Sequence, residues 1–455
     1  MSLVIAGERS GVGKTTITLA LLASLRDRGF KVQSFKVGPD YIDPMFHHNV
    51  TGLPCRNLDP VLTSETYVQD CFAKHLQDAD CGLVEGVMGL FDGAAHAPGT
   101  ASTAHIARLL DLPVMLVLDC SRLSHSIAAL AQGYRSFDPQ VRLAGVVLNR
   151  VGSDRHLDML KAALEPLNIP ILGVLRRHTD IQIPDRHLGL VPTAELEDIE
   201  QIINRLAHLA RDWFDWEKLM PLLQRQPQEF SPTINDQEKL PSCASAACRI
   251  AIAHDRAFSF YYADNLDLLK TLGAELVPWS PLRDRQLPDN VHGLYFGGGF
   301  PEMFAAELAA NQSARQSVYQ AIASGIPTYA ECGGLMYLSQ GLMDFEGQRW
   351  EMVGTLPTQT AMGKRLTLGY RQVRALHDSV MLPKGAIAWG HEFHRSHLTI
   401  ESTNPLFQFE NTPVSSRSSD FPHHEGWQTP NVHASYVHLH WGAQPELPAR
   451  FLERC

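Results

Sequence analysis

Long apolar runs are missing from this sequence of 455 residues. The longest of them, such as LPVMLVL at 112–118, fall well short of the roughly 18 residues that a membrane-spanning helix needs. The chain begins with MSLVIAG and runs directly into a glycine-rich motif, with no basic region and no cleavage site before it. Because neither a membrane span nor a secretory signal is visible, we expect a cytoplasmic protein with no membrane partner.

Cysteine and positive charge are also scarce. The eight cysteines form no C-x-x-C pair, a usage that suits reduced thiols better than a disulfide framework. Lys and Arg total 39 against 49 Asp and Glu, and the net charge of −10 argues against a general nucleic-acid binder. Hydrophobic residues at 44% and charged residues at 19% exclude a wholly disordered chain. The length predicts two or three domains, and it leaves open whether two chains pair as a homodimer.

The N-terminal part, residues 1–212, alternates short apolar runs with helical patterns. Such runs are typical of parallel strands that are buried on both faces. The clearest helix is predicted at 15–28, where Ile17, Leu21 and Leu25 share a face and Gly29 follows as a stop signal. The alternation predicts a doubly wound α/β domain. Its predicted strands are LVIA at 3–6, VQSFKV at 32–37, CGLVEG at 81–86, VMLVLD at 114–119, LAGVVLN at 143–149 and ILGVL at 171–175.

A change of composition separates this domain from a second one. After an amphipathic helix predicted at 195–210, residues 221–248 are rich in Pro, Gln and Ser, and residues 213–247 are interpreted as a linker. A second α/β domain is predicted at 248–455, starting with the strand RIAIAH and becoming strand-rich in its second half. Near its end, ASYVHLHW at 434–441 is predicted to form a single strand.

The segment GERSGVGKTT at 7–16 lies between a predicted strand and a predicted helix. In that context the backbone N–H groups of a glycine-rich turn and of the helix N-terminus form an anion cradle. Lys14 adds a positive charge for the β- and γ-phosphates, and the Thr15 hydroxyl is placed to bind Mg²⁺. The residues expected to contact ATP are Gly11, Val12, Gly13, Lys14, Thr15 and Thr16, and further along the chain Asn149.

This loop departs from the usual G-x-x-x-x-G-K-[ST] spacing. Glu8 stands where the pattern requires Gly, and Gly7, one residue earlier, gives a longer frame. The longer frame resembles dethiobiotin synthetase and its relatives, which activate carboxylates with ATP. Partitioning and division-site ATPases carry a signature Lys where this chain has Arg9. The loop therefore favours an ATP-dependent synthetase over a nucleotide switch.

Acidic residues follow two of the predicted strands. KVGPDYIDP at 36–44 offers Asp40 and Asp43, and VEGVMGLFDG at 84–93 places Glu85 at the end of its strand. Ligands bind at the carboxyl edge of an open parallel sheet, and carboxylates suit Mg²⁺, so we predict a metal–phosphate site there with Thr15, Asp40 and Glu85 as ligands. Asp119 is a candidate outer carboxylate. Asn149 ends the fifth strand, where related folds use Asn to read adenine.

A cysteine occupies a predicted strand-to-helix turn in the second domain. In AECGG at 330–334 the pattern is that of a nucleophile elbow with Cys332 in place of Ser. We expect the following helix N-terminus to lower the pKa of the thiol. Gly333 leaves room for substrate, and Gly298 or Gly299 of GGGFPE can supply the opposing N–H of an oxyanion hole.

The thiol needs a base, and the late strand offers two histidines. His438 and His440 lie on one face of a strand, so alternation does not separate them. HEFH at 391–394 is not interpreted as a zinc site, because H-E-x-x-H would require a histidine where Arg395 stands.

Taken together, GERSGVGKTT, KVGPDYIDP, VEGVMGLFDG, GGGFPE, AECGG, GHEFHRS and SYVHLHW resemble the cobyrinic acid a,c-diamide synthase family, in the same order and over almost the whole chain. The resemblance implies a P-loop synthetase domain of the dethiobiotin synthetase type joined to a class I glutamine amidotransferase domain. It implies ATP- and glutamine-dependent amidation of the a and c acetate carboxylates of cobyrinic acid, through an acyl phosphate and with Mg²⁺.

The same resemblance assigns roles to single residues. Cys332 would be the nucleophile and His438, the first histidine of SYVHLHW, its base. Ordinary class I members carry H-x-E, and His440 stands in place of that acidic residue, so no group is assigned to orient His438. Asp40 and Glu85 would serve the metal, and the residues near the corrinoid carboxylate would be Tyr41, Ile42 and Asp92.

Two alternatives stay open at this point. The same chemistry could act on hydrogenobyrinic acid or on nickel-sirohydrochlorin, whose enzymes share these motifs. From another class, the chain could be a partitioning-type ATPase switch fused to an inactive amidotransferase fold. Arg9 argues against the switch, and the intact elbow at Cys332 argues against the inactive domain.

Overall fold

The structure, a computed structural model, describes residues 2–94, 99–177, 184–186, 189–223, 248–410 and 423–455. Within the described ranges it divides into two compact units, the first made of residues 2–60 and 64–223 and the second of residues 61–63 and 248–455. In the described ranges no helix is long and apolar enough to cross a membrane. The first part of the predicted linker, at 216–223, forms a helix, and the rest of that prediction, 224–247, lies outside the described residues.

The first unit is built on a parallel sheet. Among its described residues seven strands pair in the order β3-β2-β4-β1-β5-β6-β7. Each neighbouring pair is parallel, as the near-continuous apolar runs predict. The strands are β1 Ser2–Gly7, β2 Val32–Val37, β3 Arg56–Leu58, β4 Cys81–Glu85, β5 Val114–Asp119, β6 Leu143–Val151 and β7 Ile171–Arg176, and a separate hairpin contains β8 Asp185–Arg186 and β9 Gly189–Leu190.

Helices connect these strands, and their ends follow from local sequence. Ser64, Ser102 and Ser153 each accept a hydrogen bond from the backbone N–H three residues later, which satisfies a helix N-terminus. Helix α1 buries Ile17, Leu21 and Leu25 completely, as its periodicity predicts. The helices are α1 Lys14–Asp27, α2 Ile42–Thr51, α3 Glu65–Leu76, α4 Thr103–Leu109, α5 Ser126–Phe137, α6 Asp154–Leu164, α7 Ile199–Trp213 and α8 Trp216–Leu223.

The parallel arrangement gathers the loops that carry polar motifs. The loops after β1, β2, β4, β5 and β6 all leave the same carboxyl edge of the sheet, because parallel strands point in one direction. Beneath that edge the central strands are fully buried among apolar side chains on both faces. A rigid, dry sheet therefore fixes the positions of the phosphate loop and of the acidic segments.

The second unit contains two sheets. In the described residues, one sheet has the order β11-β10-β12-β13-β21-β20, and all of its pairs are parallel except β20·β21. The other is mainly antiparallel, with the path β15-β14-β16-β17-β22 and with β18 and β19 attached to β16. The strands are β10 Arg249–Ala253, β11 Glu275–Trp279, β12 Gly293–Phe296, β13 Thr328–Glu331, β14 Ser339–Met343, β15 Arg349–Glu351, β16 Leu356–Ala375, β17 Ile387–Leu398, β18 Phe407–Phe409, β19 His424–Glu425, β20 Trp427–Thr429, β21 Val432–Ser435 and β22 His438–Leu439.

The helices of this unit are short. Residues 301–323 form a 3₁₀ turn followed by two helices, with a break at Asn311, whose side chain caps the second helix. The helices are α9 Ala263–Thr271, α10 Ala305–Ala310, α11 Gln312–Ala323, α12 Gly333–Leu338 and α13 Glu446–Arg454.

The prediction of one strand at 434–441 is wrong. The chain leaves the parallel sheet after Ser435 and joins the antiparallel sheet at His438, so two short strands replace one long one. The backbone turns between them because Glu425 accepts from Tyr436 N at 2.7 Å and Ser435 Oγ accepts from Val437 N at 2.9 Å. His440 lies beyond the end of β22, so the two histidines no longer share a strand face.

Two candidate active sites

The phosphate loop of the first unit holds its lysine tightly. The Lys14 ammonium donates to the carbonyl oxygens of Met88 and, at 3.5 Å, of Arg9. Burial, together with the nearby charge of Lys36, lowers the pKa of Lys14 to about 8. Gly11 and Gly13 adopt positive φ angles of 75° and 93°, which glycine adopts without strain. The loop thus presents N–H groups and one cation at the start of α1.

Asn149 is tied to this loop. Its Nδ2 donates to Val12 O at 2.7 Å, and its Oδ1 accepts from Arg150 N at 2.8 Å. A Cβ at Gly13 would stand 2.5 Å from the same Nδ2, so only glycine fits there without a shift. Asn149 therefore fixes the loop against β6, and its role in reading adenine stays a prediction.

Asp119 forms an ion pair on each side. Its Oδ2 lies 2.9 Å from Arg9 and 2.6 Å from Arg150. Burial would raise its pKa, but hydrogen bonds from Ser121 and the Arg150 charge lower the pKa to about 2. A cavity of about 430 Å³ opens here, lined by Glu8, Arg9, Asp119, Ser121, Arg122, Leu123 and Leu130. The carboxylate is thus ionised and engaged with arginines at the rim of the loop.

Glu85 is the centre of a buried polar cluster at the end of β4. The carboxylate is inaccessible to solvent and accepts from Thr15 Oγ1 at 2.7 Å, from Lys36 Nζ at 3.0 Å and from His47 Nε2 at 2.7 Å. These contacts, above all the Lys36 charge, outweigh the burial that would raise its pKa, and the pKa lies far below its usual value. Glu85 is therefore a carboxylate in the resting site.

The Lys36 ammonium joins this cluster to the next loop. It lies 2.5 Å from Asp43 Oδ2 and 3.9 Å from Asp40 Oδ2, and Asp43 also accepts from Thr15 Oγ1 at 3.3 Å. Burial would lower the pKa of Lys36, but the charges of Asp43 and Glu85 hold that pKa above its ordinary value. Asp40 caps α2, since its Oδ1 accepts from Ile42 N at 2.9 Å and Asp43 N at 3.0 Å. Asp43 therefore contacts Thr15 and shares the Lys36 ammonium with Glu85.

This arrangement fits a divalent cation. Hydroxyl and carboxylate oxygens of Thr15, Asp43 and Glu85 surround one buried ammonium, and such hard oxygen donors are those that Mg²⁺ prefers. Sequence reasoning overlooked Lys36 and His47, although Lys36 opens the KVGPDYIDP motif. The signal for Lys36 was a lysine inside a strand predicted to be buried, because a buried strand tolerates a cation only beside anions.

The residues expected near the acceptor carboxylate lie on the same two loops. Tyr41 and Ile42 follow Asp40 directly and are mostly buried. Asp92 accepts from Gly89 N at 2.9 Å, in the loop whose Met88 carbonyl binds Lys14. Both loops leave the carboxyl edge of the sheet beside the phosphate loop.

In the second unit, Cys332 occupies a strained turn between β13 and α12. Its φ of 46° is unusual for a residue other than glycine, as a nucleophile elbow requires. Its backbone N–H donates to Ser435 O at 2.7 Å, which fixes the turn against β21. The turn thus places Cys332 directly after the carboxyl end of β13.

The expected lowering of the Cys332 pKa is wrong for this resting structure. Burial, and after it the charge of Glu302, raises the pKa of the thiol, and the hydrogen bond from Gly333 offsets only part of this. The helix that follows has only six residues, so its dipole is small. The thiol therefore needs a neighbouring base to take its proton.

Glycines and a histidine converge around this turn. A Cβ at Gly298 would lie 2.6 Å from His438 Cε1, and a Cβ at Gly333 would lie 3.1 Å from Gly299 N. Gly299 has a φ of 155°, and its own Cβ would lie 2.1 Å from Ala257 O. Three predicted oxyanion residues and the predicted base thus lie within a few ångströms of one another.

The two late histidines have different neighbours. His438 Nδ1 lies 3.6 Å from Glu331 Oε2, whereas His440 Nε2 lies 3.5 Å from Asp264 Oδ2 and its ring packs against Tyr262. Of the two imidazoles, that of His438 is the one that lies beside Gly298. Sequence reasoning missed Glu331, whose only signal was its position directly before Cys332.

HEFH forms part of β17, and its two histidines point to opposite faces because they are three residues apart on a strand. Glu392 between them pairs with Arg371 at 2.5 Å. This geometry agrees with leaving the motif out of any zinc site.

Two family models match this chain, one in each half. The family model of the CobQ/CobB/MinD/ParA nucleotide binding domain matches residues 3–191, and that of the CobB/CobQ-like glutamine amidotransferase domain matches residues 249–446. The first model also includes partitioning ATPases, so it does not by itself separate a synthetase from a switch. The pair of domains does, because together they define a glutamine-dependent amidotransferase ligase.

Relatives that match over the full length identify the family. They include three proteins named cobyrinate a,c-diamide synthase. The protein of a Synechococcus species is 59% identical, with 100% of this chain and 98% of that protein covered. That of a Synechocystis species is 53% identical, with 100% and 93% covered, and that of Gloeobacter violaceus is 49% identical, with 100% and 97% covered. The chain belongs to the cobyrinate a,c-diamide synthase family, which confirms the resemblance and the predicted fold class and does not favour the alternatives.

Proposed function

We propose that this chain converts the a and c acetate carboxylates of cobyrinic acid to amides, with ATP and glutamine as co-substrates. The observation that carries the proposal is that one chain, alike over its whole length to proteins named for this reaction, holds both a phosphate loop with a carboxylate cluster and a cysteine elbow. Each site supplies one half of the chemistry.

The first unit activates the carboxylate. The loop N–H groups from Gly11 to Thr16 and the Lys14 ammonium bind the phosphates of ATP, and Thr15, Asp40, Asp43 and Glu85 are the residues that would hold Mg²⁺. Bound Mg²⁺ would neutralise phosphate charge. A carboxylate oxygen of the substrate then attacks the γ-phosphorus and ADP leaves. Ammonia attacks the acyl carbon of the resulting acyl phosphate, and phosphate leaves with the C–O bond electrons.

The second unit supplies the ammonia. The Cys332 sulfur attacks the side-chain carbonyl of glutamine while His438 takes the thiol proton, and N–H groups at Gly298, Gly299 and Gly333 bind the oxyanion. His438 returns the proton to the leaving nitrogen, and ammonia departs from a glutamyl thioester. Water then attacks the thioester, giving glutamate and the free thiol.

The substrate is positioned by the loops beside the metal cluster. Tyr41, Ile42 and Asp92 lie on the two loops that flank Lys14 and Glu85, which supports their placement near the acceptor carboxylate. We expect the c carboxylate to react first and the monoamide to be released before the a carboxylate is amidated. A homodimer is a further expectation, which sedimentation velocity would test.

The experiment that tests the substrate is a mass measurement. The pure protein is incubated with ATP, Mg²⁺, glutamine and cobyrinic acid, and the recovered corrinoid is weighed by mass spectrometry. Conversion of two carboxylates to amides is the expected result. An unchanged mass together with glutaminase activity would overturn cobyrinic acid as the substrate and direct the assay to hydrogenobyrinic acid and nickel-sirohydrochlorin.

Cys332→Ala tests the division of labour. The variant lacks the nucleophile, so glutamine-dependent amidation should fall at least about a thousandfold, because covalent catalysis needs the thiol. Amidation with ammonium salts at high pH should persist, since the first unit is unchanged. If ammonia does not restore synthesis, the two half-reactions are not divided in this way.

A further inference from the structure

The base of the glutaminase site lacks the acidic partner that H-x-E would supply, because His440 stands in the third place. A histidine that takes a proton from a thiol needs one ring nitrogen free of hydrogen and the other fixed as N–H. A carboxylate beside Nδ1 provides both, since it accepts a hydrogen bond from the Nδ1–H group and stabilises the imidazolium that forms.

The Glu331 carboxylate occupies such a position. It lies at the end of β13, one residue before Cys332, and is 1% exposed. Its Oε1 accepts from Leu439 N at 2.9 Å and from the Tyr329 hydroxyl, so the carboxylate is held from two sides. Its other oxygen, Oε2, faces His438 Nδ1 at 3.6 Å, a separation typical of catalytic pairs that tighten when substrate binds.

We propose that Glu331 is the positioning residue of the glutaminase site. It keeps the proton of neutral His438 on Nδ1, which leaves Nε2 to take the proton of Cys332. The carboxylate reaches the histidine from the nucleophile's own strand, and it is joined to β22 through Leu439 N. This inference rests on the proposed function and names the group that the sequence does not assign.

Three other titratable residues of this region, Asp264, Glu392 and His391, do not take this positioning role. Asp264 faces His440 at 3.5 Å, a different imidazole. Glu392 is paired with Arg371 at 2.5 Å. His391 lies directly across from His438 on β17, and burial lowers the pKa of His391 to about 3, so it is neutral and offers no negative charge.

The test is Glu331→Gln, compared with the wild type and with Asp264→Asn. The glutamine is isosteric, and its oxygen can still accept from Leu439 N and Tyr329, but its amide removes the charge opposite Nδ1. We expect kcat of the glutaminase reaction to fall about 100-fold, within the range of general acid–base effects, with KM for glutamine unchanged. Ammonium-dependent amidation should stay at the wild-type level, and Asp264→Asn should change kcat less than about threefold.

Three results would overturn the proposal. They are a kcat within about threefold of the wild type, a larger loss in Asp264→Asn, or a parallel loss of ammonium-dependent amidation, which would make the role of Glu331 structural. If Glu331→Gln does not fold, the proposal is tested with Tyr329→Phe. This substitution removes one hydrogen bond to the Glu331 carboxylate and leaves the carboxylate charge in place. A fall in its kcat of several-fold at constant KM supports the role, and no change refutes it. The glutaminase activity of the wild type is measured in parallel. If the wild type has none, the proposed function fails; if the wild type is active, the variants test the role of Glu331 alone.

Discussion

Lys36 illustrates how a single side chain can organise a site that sequence patterns leave incomplete. The acidic residues after β2 and β4 were predicted to meet, because strands of a parallel sheet end at one edge. Nothing in that pattern predicts the cation between them, since the pairing of buried charges depends on distances between strands. The structure adds Lys36 and His47 to the cluster and brings Asp43 next to Thr15.

Lys36→Met should destabilise the first unit strongly. Methionine fills the space, but Asp43 and Glu85 lose the charge that neutralises them. Removing one partner of a buried ion pair costs about 3–5 kcal/mol, so the free energy of unfolding in urea should fall by that amount. Millimolar Mg²⁺ should recover part of the loss, because the cation binds the folded carboxylates.

The matched control is Lys161→Met, on the exposed surface of α6. Its free energy of unfolding should stay within about 0.5 kcal/mol of the wild type. Equal unfolding free energies for the two variants would mean that Lys36 does not neutralise the cluster.

At the scale of strands and helices, prediction succeeded where an apolar run ends at a clear turn. The strands at 32–37 and 114–119 have the predicted bounds, and both are buried from end to end. β3 was missed, since three residues show no period. The strand expected at 434–441 was too long, because its apolar alternation continues through the point where the chain changes sheets.

Gly298→Ala tests the turn after β12. The new Cβ would lie 2.6 Å from His438 Cε1 and 3.2 Å from Phe260 Cβ, so the imidazole must move. A displacement of about 1 Å can cost 100-fold in rate, so glutaminase activity should fall by tenfold or more. Ammonium-dependent amidation should be unaffected, and both rates are measured by corrinoid and glutamate assays.

Gly133→Ala serves as the control for this substitution. Gly133 lies inside α5, where an added Cβ meets no atom within 4 Å. Alanine should stabilise that helix by roughly 0.5–1 kcal/mol and leave both activities unchanged. A Gly298→Ala protein with wild-type glutaminase activity would show that the ring of His438 does not need this space.

For the whole molecule, the two sites predict that amidation and glutaminase activity can be lost separately. Lys14→Ala removes the charge that binds the ATP phosphates, so amidation should fall at least about a hundredfold with glutamine and with ammonium alike. Glutaminase activity should partly survive, because the elbow lies in the other unit. Synthesis at the wild-type rate would exclude the phosphate loop from the reaction, and circular dichroism of the variant provides the check on folding.

The order of the motifs was enough to predict two domains and their chemistry, because each motif combines residue types that one reaction requires. The partners that lie across strands were not predicted. Glu331 and His438 are far apart in sequence and meet only because β13 ends beside β22, a contact that no local pattern encodes.

Cys332 belongs to the parallel sheet and His438 to the antiparallel one, and this has a consequence for synthesis on the ribosome. The cysteine is translated about a hundred residues before its base, after the whole nucleotide-binding unit. A nascent chain that ends before β22 therefore contains the thiol of Cys332 but not His438. With His438 as the proposed base, we expect glutamine hydrolysis to begin only after translation has passed β22, and we expect incomplete chains to release no ammonia.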